Sequence, residues 1–124
     1  MAKGGGPNGL AHLRVKFSDS FYMGPGRADL LQGIAETGSI TQSGKRMDMS
    51  YKRAWSLVQA LNEGFGAPLV ETSRGGVAQG GAQLTADGQF VLKSYRAMQA
   101  SAREAVASEL ANIQKRLGDI AKRK

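Results

Sequence analysis

The spacing of hydrophobic residues predicts a short strand followed by a first helix. Leu13, Val15 and Phe17 alternate with polar residues, which predicts a strand over residues 10–17. Residues 18–26 end in Gly-Pro-Gly and are expected to form a connection. Apolar positions then recur at helical spacing over residues 27–37, and Gly38 follows as a C-cap glycine, so an amphipathic helix is expected there.

Two further short helices are predicted to meet across a tight turn. Ser39 and Gln42 have the spacing of a capping box, in which the serine oxygen accepts from a helix amide and the glutamine reaches back to the cap amide. Ser50 is expected to cap the next helix, whose outward face is polar and basic. Gly44 is expected where the two helices approach closely. The predicted bounds are residues 40–47 and 51–62, with a turn at residues 48–49 and a stop at residues 63–64.

The last third of the chain predicts a hairpin and one long helix. Strand-like residues 69–72 and 82–84 flank a glycine-rich loop, and Thr85 can cap a helix over residues 86–120. The first part of this helix is expected to contribute to the core with Phe90, Val91, Tyr95 and Met98. Later apolar residues follow at the a/d spacings of a coiled coil and are expected to dimerise: Val106, Leu110, Ile113, Leu117 and Ile120. A second copy of the chain is the most economical source of the partner helix.

The order of these elements indicates a mainly α protein with a small β wing. It is the order of a winged helix-turn-helix with a long C-terminal dimerisation helix, and the second helix of that motif enters the major groove of double-stranded DNA. We expect a disordered tail at residues 1–9, a DNA-binding domain at residues 10–89 and the long helix at residues 90–124.

Charge supports a polyanionic partner. The formal net charge is +7 and the isoelectric point is near 10.1, which favours nucleic acid through release of counterions. Candidate base and phosphate contacts on the third helix are Ser50, Tyr51, Lys52, Arg53 and Ser56. The preceding helix offers Thr41, Gln42, Ser43 and Lys45 to phosphates, and the wing offers Arg74 and Gln79 to the minor groove. Both Lys52 and Arg53 can contact either guanine or phosphate, and Tyr51 can belong either to the core or to a phosphate contact.

Composition argues against catalysis and metal binding. The chain has no cysteine and one histidine, His12, so we expect no metal site, no disulfide and no cysteine nucleophile. Neither a P-loop nor a strand-linked G-x-G-x-x-G is present, and no paired carboxylates suggest acid–base chemistry. We therefore expect a protein that is not an enzyme and has no cofactor. The sequence shows no membrane span or signal peptide, which predicts a cytoplasmic location.

Residues 30–92 resemble the N-terminal DNA-binding domain of ModE-type molybdate-responsive regulators, which are themselves similar to LysR-type winged helix-turn-helix proteins. The resemblance is carried by Gly-Ser-Ile at residues 38–40, Ser-Tyr-Lys at 50–52 with Ala-Trp at 54–55, the glycine-rich wing at 75–81, and Leu-Thr at 84–85 with Gly88. It implies a bacterial homodimer that controls genes of molybdenum uptake or molybdoenzymes. Family members carry C-terminal oxyanion-binding domains, and this chain is expected to lack one, so it is not expected to bind molybdate itself.

Two other functions are compatible with the sequence. The basic end of the long helix could lie along phosphates in a non-specific architectural DNA-binding protein. Alternatively, the chain could be an interaction module whose apolar seam pairs with a different regulator chain.

Overall fold

The computed structural model describes residues 9–73 and 81–123. Most of this part is helical, with two small antiparallel sheets. The strands are β1 (Val15–Lys16), β2 (Tyr22–Met23), β3 (Val70–Ser73) and β4 (Gly81–Leu84). The helices are α1 (Pro25–Thr37), α2 (Ile40–Arg46), α3 (Tyr51–Phe65) and α4 (Ala86–Lys122). The expected disordered tail lies almost wholly in residues 1–8, outside the described residues.

The N-terminal strand is much shorter than the sequence predicts. Only Val15–Lys16 is a strand, and it pairs with Tyr22–Met23, which was expected to lie in a connection. The amides of Phe17 and Ser18 both donate to the carbonyl oxygen of Phe21, at 2.9 and 3.2 Å, and close the turn between the strands. Upstream of Val15 the backbone meets a helix instead of a strand, since the Leu13 carbonyl accepts a 2.6 Å hydrogen bond from the Tyr95 hydroxyl.

Helix α1 begins two residues before its predicted start and ends where expected. Pro25 occupies the first turn, where its missing amide and fixed φ are favourable. At the other end Gly38 has φ of 73° and its amide donates to Ile34, which confirms the C-cap. Ser39 then accepts from the Gln42 amide at 3.0 Å. The prediction that the Gln42 side chain accepts a hydrogen bond from the Ser39 amide is wrong, because that amide donates to the Thr37 hydroxyl instead.

Helix α3 is longer than predicted because Gly64 serves close packing rather than termination. A Cβ at Gly64 would lie 2.4 Å from the carbonyl oxygen of Ser20, so a side chain there would push the β1–β2 turn away. The helix continues to Phe65 and ends at Gly66, whose φ is 89°. The predicted stop at residues 63–64 is therefore wrong, and the helix runs three residues beyond its predicted end at residue 62.

The turn between α2 and α3 fixes the angle of the helix pair. A Cβ at Gly44 would lie 2.9 Å from the Cβ of Ala54, which confirms that the two helices approach closely at this glycine. Asp48 has φ of 56°, a left-handed conformation that aspartate tolerates better than most residues. The amide of Met49 donates to the Gly44 carbonyl at 2.9 Å and closes the turn.

The β3–β4 hairpin and the start of α4 agree with the sequence. Val70 pairs with Leu84 and Ser73 with Gly81, so the strands flank the loop as expected. Thr85 accepts from the Gly88 amide at 3.0 Å and donates to the Pro68 carbonyl at 2.7 Å. The cap therefore also fixes α4 to the chain segment that precedes β3.

The core residues predicted for helix α4 are only partly correct. Val91 and Tyr95 are buried as expected, together with Leu92. The prediction that Phe90 and Met98 belong to the core is wrong, since their exposed fractions are 67% and 37%. At 100° per residue Met98 lies at the edge of the buried stripe and Phe90 lies well outside it. No helix within the described part of the chain is long and apolar enough to span a membrane.

Candidate nucleic-acid interface

The N-terminal turn of α3 presents polar side chains on its outward face. Ala54, Val58 and Leu61 are buried, so the opposite face of the helix is turned to solvent. Tyr51 is 59% exposed and stands edge-on to Trp55 at 6.1 Å between ring centroids, so it is not a core residue. The other predicted contact residues on this helix are also exposed: Ser50, Lys52, Arg53 and Ser56.

Ser50 has a structural task at this site. Its side-chain oxygen accepts a 3.1 Å hydrogen bond from the amide of Arg53 and so caps α3. The cap leaves the hydroxyl proton free to donate, because only the oxygen's lone pair is used. Ser50 can therefore hold the helix end and donate to a phosphate at the same time.

Helix α2 places three of its four predicted contact residues where a ligand can reach them. Gln42 and Lys45 are exposed and Thr41 is partly exposed. Because Gln42 does not return to the cap amide, its side-chain amide stays available. The prediction that Ser43 contacts DNA is wrong, since its side chain is fully buried and donates a 2.7 Å hydrogen bond to the Leu30 carbonyl.

The basic side chains of this surface differ in how they are engaged. Arg46 forms a 2.6 Å ion pair with Glu36, and this hydrogen bond, followed by one from Gln32, holds the pKa of the Glu36 carboxyl below its ordinary value. Across residues 9–73 and 81–123, no carboxylate forms a salt bridge with Lys45 or with the two cations of α3, Lys52 and Arg53. The surface formed by α2 and the start of α3 is therefore positively charged.

The wing is described only at its base. Arg74 and Gln79, the two predicted minor-groove contacts, lie outside the described residues. Thr72 and Ser73 are exposed at the end of β3, and the Ser73 oxygen accepts from the Gly81 amide at 3.3 Å. These hydroxyl residues were not among the predicted contacts, although the sequence places them beside the glycine-rich loop.

The part of the chain that includes α2 and α3 matches the residue pattern of one protein family. Residues 27–89, about half of the chain, match the bacterial regulatory helix-turn-helix proteins of the lysR family. The chain belongs to this family. The proteins of this family are bacterial regulators with a helix-turn-helix.

Curated relatives confirm the resemblance to ModE-type regulators. The chain is 38% identical over 116 residues to the molybdenum-pterin-binding protein MopB of Rhodobacter capsulatus, covering 93% of this chain and 42% of MopB. It is 39% identical over 83 residues to the DNA-binding transcriptional dual regulator ModE of Escherichia coli, covering 67% of this chain and 32% of ModE. The chain thus spans less than half the length of these relatives.

Solved structures confirm the fold class. The crystal structure of the CbnR_DBD–DNA complex matches with a TM-score of 0.54 and 26% identity, covering 69% of this chain and 94% of that one. Full-length CbnR complexed with its target DNA matches with a TM-score of 0.53 and 26% identity, covering 67% of this chain and 27% of that one. The chain is a winged helix-turn-helix domain with a long C-terminal helix.

Proposed function

We propose that this chain binds specific sites in double-stranded DNA and regulates transcription, with α3 in the major groove. The observation that carries the proposal is the start of α3, where Tyr51, Lys52 and Arg53 are exposed. Gln42 and Lys45 of the preceding helix are exposed as well. A major groove about 12 Å wide admits one helix, and the residues near its N-terminus reach base edges.

Each exposed residue has a role in this proposal. Arg53 donates to a guanine, while Lys52 and Lys45 neutralise phosphates. Tyr51 and Gln42 donate hydrogen bonds to phosphates of the DNA backbone, as do the hydroxyls of Thr41, Ser50 and Ser56. Arg74 and Gln79 stay proposed minor-groove contacts of the wing.

The proposed regulator is a homodimer. Ile113 and Leu117 on α4 are 62% and 61% exposed in the single chain, although both are apolar and follow an a/d pattern. A second copy that covers them would place two copies of α3 on a two-fold symmetric site, with half-sites about 34 Å apart.

The proposed targets are genes of molybdenum transport or of molybdoenzymes. The names of the relatives support this, since they include ModE and a molybdenum-pterin-binding protein. In this proposal the chain binds DNA and dimerises, and it has no molybdate site.

Selection of bound fragments from sheared genomic DNA tests the proposal. We expect enrichment of a palindromic site by at least about 10³ over bulk DNA. Uniform recovery would contradict sequence-specific regulation and favour the architectural alternative. Repeating the selection with molybdate present would show whether the anion alters binding.

Substitution of the two cations of α3 tests their roles separately. Arg53→Ala should weaken binding to the selected site by about 1 to 3 kcal/mol and relax base preference at one position. Lys52→Ala should weaken binding equally on all sequences and reduce its salt dependence. Lys93→Ala is the charge-matched control, because Lys93 is exposed on α4 away from this surface. An equal loss on all sequences for Arg53→Ala would assign Arg53 to phosphate.

A further inference from the structure

Cationic side chains surround one tyrosine of the β1–β2 hairpin. The guanidinium carbons of Arg14 and Arg27 each lie 3.8 Å from the centre of the Tyr22 ring. Two guanidiniums cannot stack on the same face of one ring at that distance, so they lie on opposite faces. Lys16 pairs with Tyr22 across the hairpin, which places its side chain on the same side of the sheet. We call Arg14, Lys16, Tyr22 and Arg27 the basic cluster.

The basic cluster has little negative charge to balance it. Within residues 9–73 and 81–123, neither of its arginines forms a salt bridge with a carboxylate. Lys16 lies 3.6 Å from the Asp19 carboxylate, but both side chains are largely exposed, and a surface pair of this kind contributes little. Like charges held close together repel one another, so an anion that bridges them relieves the repulsion. The cluster is therefore suited to a ligand with more than one negative charge.

Arg27 is held in place before any ligand arrives. One of its terminal nitrogens donates to the Tyr22 carbonyl at 3.3 Å, and the ring of the same tyrosine supports the guanidinium. The Nε donor of Arg27 is covered and has no acceptor in the described part of the chain. A guanidinium presents its donors as a rigid fork that fits two oxygens of a phosphate group. Because Arg27 is already ordered, binding costs little additional side-chain entropy.

The start of α1 adds positive potential beside Arg27. Arg27 lies in the first turn of this helix, which has no acidic residue there and no side-chain hydrogen bond at its N-cap. The amides at such a helix end carry partial positive charge. Gly26 is exposed, its φ is not positive, and an added Cβ would meet nothing within 4 Å. Packing therefore does not require glycine at this position, and its missing side chain leaves the helix end accessible.

The basic cluster lies away from the proposed DNA contacts. Arg27 is about 16 Å along α1 from Gly38, after which α2 begins. The Ser20 hydroxyl donates to the Gly64 carbonyl at 3.2 Å, which ties the β1–β2 turn to the last turn of α3. That end of α3 is about 20 Å from Tyr51 in its first turn. DNA bound at the starts of α2 and α3 therefore leaves the cluster open to another ligand.

We propose that the basic cluster binds the phosphate group of a small phosphorylated molecule. Arg14 and Arg27 donate to its oxygens from the two sides of Tyr22, and Lys16 and the start of α1 add positive charge. A phosphate monoester carries about two negative charges at pH 7, which matches this surplus of cations. The site is separate from the DNA surface and depends neither on the proposed operator nor on the proposed homodimer.

Thermal unfolding with two phosphate probes tests the site. At constant ionic strength and pH 7.5, inorganic phosphate and phenyl phosphate should each raise Tm saturably relative to chloride. Replacing both Arg14 and Arg27 with glutamine should weaken the apparent affinity for each probe by about tenfold or more. Lys115→Gln combined with Arg116→Gln removes the same charge from an exposed part of α4 and should leave the affinity unchanged. No saturable shift, or the same loss in both double variants, would overturn the inference.

Two further measurements keep the test decisive. Arg14→Gln alone should still weaken phosphate binding severalfold, and it spares the fold because Arg14 is exposed. A short DNA duplex carrying the selected site is the other source of phosphate groups. The Tm shift caused by phenyl phosphate should persist when this duplex is saturating, and also in Lys52→Gln combined with Arg53→Gln. Competition by the duplex, or loss of the shift in that variant, would place the phosphate on the DNA surface and overturn the inference.

Discussion

Replacing Ser43 with alanine distinguishes a packing role from a DNA contact. The Ser43 hydroxyl is fully buried and donates a 2.7 Å hydrogen bond to the Leu30 carbonyl, which joins α2 to α1. A net hydrogen bond of this kind contributes about 0.5 to 1.5 kcal/mol, and alanine cannot make it. We expect Ser43→Ala to lower the free energy of unfolding by about 1 kcal/mol and Tm by about 4 °C. Affinity for DNA should stay unchanged at temperatures where the variant is folded.

The assay pairs urea unfolding with fluorescence anisotropy on the selected DNA site. Protein concentration is fixed for unfolding and salt is fixed for binding, because dimer stability depends on the first and DNA affinity on the second. Ser56→Ala is the matched control, since Ser56 is exposed on α3. It should leave stability unchanged or slightly raised, because alanine favours helix, and weaken DNA binding. Unchanged stability together with weakened DNA binding in Ser43→Ala would refute the packing role.

Two further predictions concern the base of α4. Burial, the largest contribution, raises the pKa of the Tyr95 hydroxyl above its ordinary value of 10.0. The folded state therefore favours the neutral phenol, which contributes stability below pH 10. This contribution is lost as the pH rises through the pKa of Tyr95 in the folded protein. Tyr95→Phe lacks the titrating group, so its Tm should decline less steeply in alkaline buffer than that of the unsubstituted protein. Gly88→Ala should destabilise by about 1 to 3 kcal/mol in urea, because its Cβ would meet the Leu69 carbonyl oxygen at 2.1 Å. Gly118→Ala has open space around it and should stabilise, and a stable Gly88→Ala would contradict the packing.

Local signals in the sequence were sufficient for the helices and their caps. Ser39, Ser50 and Thr85 each cap the helix that follows, because a cap depends only on residues within one turn. The exposed contact residues of α3 follow from helical periodicity for the same reason. The glycine of close approach, Gly44, was also found from its place in the motif.

Non-local contacts account for what the sequence did not reveal. Strand β2 has only two residues and exists because β1 lies beside it, so no period-two pattern announces it. In the sequence, Ser43 has the pattern of an exposed polar helix residue. In the structure it packs against Gly33 of α1, where an added Cβ would lie 2.2 Å from the serine oxygen. Phe90 and Met98 are large and apolar, and only the position of the rest of the domain shows that they face solvent.

The length of α4 has a consequence for how the protein assembles. The helix has 37 residues and extends about 55 Å, but the domain packs against only its first part. Helices in proteins take most of their stability from tertiary packing of an apolar face rather than from intrinsic propensity. In the proposed dimer, separation of the two copies therefore removes the contacts that keep the far half of α4 helical. The stability of the far half of α4, and with it the rigidity of the spacer between two DNA-reading domains, is therefore expected to rise with protein concentration.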